Sequence, residues 1–464
     1  MAIREHCDRV FQKRSSKGYR KTQMISYEQY LRECAVSKTV IDVPVSPSYL
    51  SACQTPGVRF DYTAFYGPNR RSFPVMIFAC PALMDLVIFL VYFAVFYSAG
   101  RSGLTDRECA WIGGIFQLTY MATSLGVGWA LSRRNARTFL GVGILTCIAT
   151  GIWSITTRHF GPVFAGMACF GIAAAIFFNA FQTFMRGDAP PGGLARATGL
   201  YTLAWSGGSS LGFLLSGTLY NFGSTVLIVL ILVVGGLISA LVLRHPARPD
   251  SAPSADEHVE NGPPGSAPVH GAYIGVAWLI IFTAMFVQRP IQTFYPALCA
   301  SAHIAPWLAG LPLFLHMFIQ ALAGAGMIPL RFLLYRKTPL VLIQGAAAGL
   351  LIFIGFHPAI GFLAAGMSLL GLWAGFAYFS AVYYAGNSGL RSRNIGINEC
   401  LVGLGSFSGL ILSEYFMKRS GNPAMMYGVC AGALGVSIVL QCAVAWAGTG
   451  RFRTVCSAPG PRRT

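Results

Sequence analysis

A peptide group in hydrocarbon has no water to bond. Any segment that crosses a bilayer must therefore satisfy its own backbone, and about 20 consecutive apolar residues read as a membrane-spanning helix. The chain has twelve such runs, at residues 75–99, 109–131, 137–156, 161–185, 197–219, 222–243, 272–298, 304–329, 338–356, 359–385, 396–417 and 424–447. Composition agrees. Hydrophobic residues make up 54% and charged residues 11% of the chain, against about 25% charged in a soluble domain, so lipid is the solvent for most of it. The reading is an all-α, polytopic membrane protein with twelve transmembrane helices.

The runs fall into two sets of six. Residues 244–271, rich in Pro and polar residues, separate them and have the composition of a flexible linker. Residues 1–74 are polar and basic and read as a cytoplasmic tail, or as a docking segment for a partner or for acidic lipid. Because the first apolar run starts only near Val75, no cleavable signal peptide is expected. Residues 448–464 read as a second cytoplasmic tail. Lys and Arg settle the expected orientation. With the amino terminus inside, 28 of the 34 fall on cytoplasmic segments, five (Arg101, Arg107, Arg158, Lys418, Arg419) on the other side, and Arg289 within a span. The positive-inside rule thus places both ends in the cytoplasm. The net charge of +18 is scattered between apolar runs and reads as topology, not as a nucleic-acid stripe. Most of the cysteines sit inside apolar runs without a C-x-x-C pair, so neither disulfide nor metal is expected.

The two sets are related. Arg196, Gly199, Gly208, Ser209, Gly212, Leu215 and Ser216 recur 197 positions later as Arg393, Gly396, Gly405, Ser406, Gly409, Leu412 and Ser413. An internal duplication explains this. Each copy contains a Gly-x-x-x-Gly pair, Gly208 with Gly212 and Gly405 with Gly409, which lets two helix backbones approach closely in lipid.

Six plus six spans about a polar linker, with an end-to-end duplication, resemble the major facilitator superfamily, in which two six-helix bundles rock about a central site. That family's signature after its second span, Gly-x-x-x-Asp-Arg/Lys-x-Gly-x-Arg/Lys-Arg/Lys, is matched at Gly128, Arg133 and Arg137, with Ser132 in place of Asp and Asn135 in place of Gly. The second half keeps Gly326 and Arg331. The Gly-Pro-x-x-Gly-Gly of proton-coupled exporters is reduced to Gly212 and Gly217, with Phe213 and Ser216 between them; without the Pro this helix should be straighter. The resemblance implies alternating access by a secondary active transporter, symporter or antiporter, working as a monomer in a bacterial inner membrane.

A charge in the hydrocarbon core costs about 2.5–3.5 kcal/mol on insertion scales, so it persists where packing shelters it or function needs it. Asp85 in the first span and Arg289 in the seventh are the candidates, the first for proton coupling and the second for anchoring an anionic group. A structural Asp85/Arg289 ion pair is the other reading. The resemblance places both helices beside the central cavity. Gln117, Tyr120, Asn179, Gln182, Gln288, Gln292, His316, Gln320, Tyr378 and Tyr383 could complete it, each also readable as an interhelical hydrogen-bond partner. Glu399, six residues after Arg393, reads as half of a gating ion pair at a helix start. These residues point to a small organic solute and protons as partners, besides the bilayer. No cofactor is expected and no enzymatic activity: His245 and Asp250 spell the H-x-x-x-x-D of acyltransferases, but in a Pro-rich linker with no fold to orient them. Two other readings of the same architecture remain open, a non-transporting receptor or platform acting through its amino-terminal tail, and a lipid or amphipath translocator.

Overall fold

A computed structural model describes residues 75–464 apart from 132, 185–193, 245–270, 358, 387–390 and 457–464. Side chains at 75–77, 128–129, 133–134, 182–184, 194, 271–272, 331, 391–396 and 445–456 also lie outside the description. The amino-terminal tail and most of the linker, including His245 and Asp250, are therefore outside the described residues.

Among the described residues there is no strand and there are twelve long helices: α1 (Val75–Arg101), α2 (Asp106–Ala130), α3 (Arg133–Thr156), α4 (Phe160–Phe184), α5 (Leu194–Leu219), α6 (Ser224–Arg244), α7 (Gly271–Ser301), α8 (Pro306–Gly326), α9 (Lys337–Phe356), α10 (Ile360–Gly386), α11 (Arg391–Ser420) and α12 (Met425–Cys456). Each corresponds to one apolar run. The clearest departure is at the end of the chain, where α12 continues to Cys456 and the tail expected from 448 begins as helix.

Ten of the helices are long and apolar enough to cross a membrane. The two that fall short in composition, α2 and α5, are interface helices: α2 packs on α4 and α11, and α5 on α1 and α8. A helix surrounded by protein need not be apolar on every side. The rim helix α6, with mean hydropathy 3.2, illustrates the opposite case and presents Val229, Leu232 and Val233 outward. The rim helices α3, α9 and α12 likewise present Leu145, Leu342 and Val439 outward.

The packing repeats as the sequence does. The pairs α1·α5, α2·α4, α3·α4, α1·α6 and α3·α6 recur as α7·α11, α8·α10, α9·α10, α7·α12 and α9·α12. The glycine pairs lie in the first of these contacts. A Cβ at Gly208 would run into the carbonyl oxygen of Ala82 on α1, and one at Gly212 would lie 2.6 Å from that of Leu86. In the second half, Cβ atoms at Gly405 and Gly409 would strike the carbonyls of Phe282 and Phe286 on α7. Ser216 continues the first seam, its hydroxyl donating to the Leu90 carbonyl at 3.0 Å.

The α1–α2 and α7–α8 turns show the duplication in a second register, offset by 200. The amides of Ser102, Gly103 and Leu104 donate to the carbonyls of Ser98, Gly100 and Ala99, and those of Ala302, His303 and Ile304 to Leu298, Ala300 and Cys299. The left-handed position is Gly103 in the first turn (φ 74°) and His303 in the second (φ 57°). A residue with a Cβ is strained there, by about 1–2 kcal/mol for a typical L residue. His303→Gly is accordingly expected to be tolerated or mildly stabilising, by up to about 1 kcal/mol after the unfolded-chain entropy of Gly is subtracted. Thermal unfolding in detergent checks this; a fall in the midpoint would show that the imidazole does something the backbone strain conceals.

Candidate functional site

The 200-residue register puts Asp85 of α1 opposite Met285 of α7, and Phe89 opposite Arg289. All four line one cavity where the halves meet. Its volume is about 70 Å³, space for about five to seven waters, since one needs about 10–15 Å³ on this measure. Duplication thus brought equivalent positions together, and divergence gave them a carboxylate on one side and a guanidinium on the other.

Further polar lining comes from Gln117 and Tyr120 of α2, Tyr378 of α10 and Glu399 of α11. The Tyr120 hydroxyl donates to Glu399 Oε2 at 3.0 Å, joining α2 to α11 across the halves. Arg289 is held from behind: its Nη1 donates to Gln292 Oε1 at 3.0 Å, and Gln292 rests its own amide on Met317 Sδ at 3.5 Å. The guanidinium carbon lies 5.2 Å from the Phe89 ring centre and 5.7 Å from that of Tyr92, within the range of a cation–π contact. Four buried polar atoms of the lining have no hydrogen-bond partner: Asp85 Oδ2, Gln117 Nε2, Trp205 Nε1 and Arg289 Nε. Buried polar groups are normally paired, and four of the ten unmet buried atoms among the described residues belong to this one lining.

Toward the α1–α2 and α7–α8 turns the route from the cavity is closed. Phe89, Tyr92, Phe93 and Phe96 are buried one after another along α1. The Tyr92 hydroxyl shares a 2.7 Å hydrogen bond with Thr293 Oγ1, and Tyr97 donates to the Ile304 carbonyl at 2.6 Å. Beyond them a Cβ at Gly100 would meet the Ala297 carbonyl.

The structure thus gathers Asp85, Arg289, Gln117, Tyr120, Tyr378 and Glu399 into one place. Gln292 supports Arg289 from outside it. Gln288, His316 and Gln320 form a separate network. The imidazole Nδ1 of His316 lies 3.1 Å from the Met367 carbonyl, which requires a proton there and leaves Nε2 to accept from the Gln288 amide at 3.3 Å. Gln288 also donates to Gln320 Oε1, and Gln320 reaches Ser206 of the first half at 3.1 Å. Asn179 ties α4 to α2 through Ser124 at 3.1 Å. Tyr383 stacks on Phe379 with ring centres 5.9 Å apart and also faces Tyr335. Arg137 caps the end of α6, its Nη2 donating to the Leu243 carbonyl at 2.8 Å. The side chains of Gln182, Arg133, Arg331 and Arg393, and the surroundings of Gly128, lie outside the described residues. Glu399 accepts from Tyr120 in the cavity wall; its expected gating partner, the Arg393 side chain, lies outside the described residues.

Sequence reasoning missed the aromatic wall of Phe89, Phe116, Phe178, Tyr201 and Trp205. With 33 Phe, 19 Tyr and 8 Trp in the chain, aromatic identity alone singles out none of them. One signal was present: Trp205 is the counterpart of Val402 in the 197-residue repeat, and both line the cavity. Trp205 also packs on Tyr378, ring centres 4.4 Å apart.

Twelve membrane-length helices in two like-packed sets, closing a charged cavity between them, define an integral multi-pass membrane transporter. The family model of the Major Facilitator Superfamily matches residues 75–389, and the chain belongs to that superfamily. A search of curated proteins gave no significant match.

Proposed function

We propose that the protein is a secondary active transporter that moves a small organic solute bearing an anionic group, coupled to protons, by rocking its two six-helix halves about the cavity. The observation that carries this reading is the placement of Asp85, Arg289 and Glu399 in one cavity at the junction of the halves. Each half contributes to the wall, so a bound solute touches both and has different contacts when they tilt apart, the condition for a ligand to bias a two-state change. The Arg289 guanidinium, held by Gln292 and two aromatic rings, is the anchor for the anion. Asp85 has an unmet oxygen and is the proton carrier. Positive-inside reasoning puts the termini in the cytoplasm; in that orientation the aromatic seal of α1 faces outward and the cavity lies nearer the cytoplasm. Plasma membrane and monomer complete the reading.

The test is Arg289→Gln. A charge-assisted hydrogen bond is worth about 1.5–3 kcal/mol, so solute affinity should fall roughly 10- to 150-fold. Ligand-dependent thermal stability of the purified protein measures it, because ligand at about a hundred times Kd adds roughly 2.7 kcal/mol of stability. The five-residue aromatic wall favours a second reading, an amphipath or lipid translocator. Under that reading the same variant keeps nearly full affinity, which would remove the anion anchor from the account.

A further inference from the structure

Resting on the transport reading of this same cavity, we infer that the solute is a compact zwitterion, its cationic end on Asp85 and its anionic end on Arg289. The wall carries two carboxylates and one guanidinium, a formal charge of −1 when all are ionised. Its unmet hydrogen-bonding capacity has both signs: Asp85 Oδ2 is an acceptor, while Arg289 Nε, Gln117 Nε2 and Trp205 Nε1 are donors. Asp85, Gln117 and Trp205 are 6%, 1% and 7% exposed, so water outside the protein does not serve them.

Each simpler solute leaves part of this set unmet. A pure anion would satisfy the donors, abandon Asp85 Oδ2 and raise the charge of the site to −2. A pure cation would cancel the charge and abandon three buried donors. A zwitterion meets both kinds of group. The wall also carries Phe116, Phe178 and Trp205, aromatic rings whose faces attract a cation, most strongly where water is excluded. Glu399 accepts the Tyr120 hydroxyl, whereas Asp85 Oδ2 is a buried carboxylate oxygen of the wall without a described partner. Asp85 belongs to the first half and Arg289 to the second, so the two ends of one small molecule bridge the halves.

Charge counting gives the stoichiometry. A zwitterion adds no net charge, so a single proton brings the loaded cavity to neutrality, whereas an anion would need two. One proton then moves with each solute, and each cycle carries one positive charge. The proton enters from the more acidic side, is held on Asp85, whose carbonyl oxygen still accepts from the cationic end while Glu399 supplies the negative charge of the wall, and leaves with the solute.

The experiment uses the full-length wild-type protein, so no variant has to fold. Thermal stability in detergent is measured with α-amino acids and trimethylammonium betaines as probes. Each amino acid is paired with its N-acetyl acid, which keeps only the negative charge, and its amide, which keeps only the positive one. The expected result is at least one zwitterion that raises the unfolding midpoint, with both derivatives binding at least tenfold more weakly. In proteoliposomes that zwitterion should carry one charge per molecule. The zwitterion is overturned if no parent compound binds, or if an N-acetyl acid or an amide binds as well as its parent; two charges moving per solute would overturn the one-proton stoichiometry. An N-acetyl acid that binds and is concentrated by a pH gradient would sink this inference alone and leave the transport reading standing. A bound solute that no gradient moves across the membrane would sink the transport reading itself.

Discussion

Asp85→Asn is expected to abolish pH-driven accumulation while leaving solute exchange across the membrane measurable. The two side chains have nearly the same shape, and the cavity around Asp85 keeps its aromatic and aliphatic contacts. What is lost is the ability to take up and release a proton at mid-membrane depth, where ionisable groups are costly and rare. One pH unit is worth about 1.4 kcal/mol, a tenfold ratio. A one-proton symporter under that gradient therefore holds solute at about ten times its outside concentration, and the Asn protein should hold it at a ratio of about one. Counterflow of labelled against unlabelled solute needs binding and rocking but no net proton movement, so it should persist. Accumulation ratios in proteoliposomes with and without a pH gradient decide the matter. Unchanged accumulation in the Asn protein would remove Asp85 from the coupling step and turn attention to Glu399, the other carboxylate of the wall.

Gly208→Ala is expected to be among the most damaging single-methyl changes in the chain, and its neighbour Gly207→Ala among the least. A Cβ at Gly208 would enter the carbonyl of Ala82, with the Ala82 carbonyl carbon also 2.7 Å away, whereas one at Gly207 meets nothing within 4 Å. Backbone cannot rotate aside as a side-chain end can, so α5 and α1 must separate. Overpacking of this kind costs about 1–3 kcal/mol, and separating the seam also disturbs Gly212 and the Ser216 hydrogen bond to Leu90. Gly207→Ala gains up to about 1 kcal/mol of helix propensity with no clash. Gly405→Ala, against the Phe282 carbonyl, should repeat the Gly208 effect in the second half. The two sites lie on different seams, so their costs should nearly add in the double variant. Unfolding midpoints followed by size-exclusion chromatography would test this. Equal midpoints for the Gly207 and Gly208 variants would mean that the α1–α5 seam is not close-packed.

The helices were legible because the bilayer imposes one rule on every span: about 20 apolar residues, backbone bonds closed within the helix. That rule gave twelve segments in the right places, including α2 and α5, whose Gly, Ser and Gln content makes them the least apolar. It was silent on where α12 ends, since a helix can continue past the hydrocarbon into water. The charged members of the site were legible for a related reason, since Asp85 and Arg289 violate the rule. Neutral polar residues do not violate it strongly, and so Gln288, His316 and Gln320, singled out together with Gln117, turn out to belong to a separate hydrogen-bonded network between α7 and α8. Spacing along one helix does not say which way a Gln points once several helices surround it. Glu399 was read through its neighbour in sequence, Arg393, whose side chain lies outside the described residues; its contact with Tyr120, 279 residues away, could not be read from local spacing.

By itself the sequence determined the solvent, the number of spans, the duplication and the two charges that lipid would not tolerate without cause. All of these follow from local composition and from the self-similarity of the chain. Only the tertiary structure decided which residues share a wall: it set Phe89 under Arg289, placed Trp205 against Tyr378, and left four polar atoms of the lining residues without partners. Those relations depend on the rotation of each helix about its own axis and on the close approach of α5 to α1 and α11 to α7, which packing fixes over the whole bundle and no stretch of sequence encodes alone.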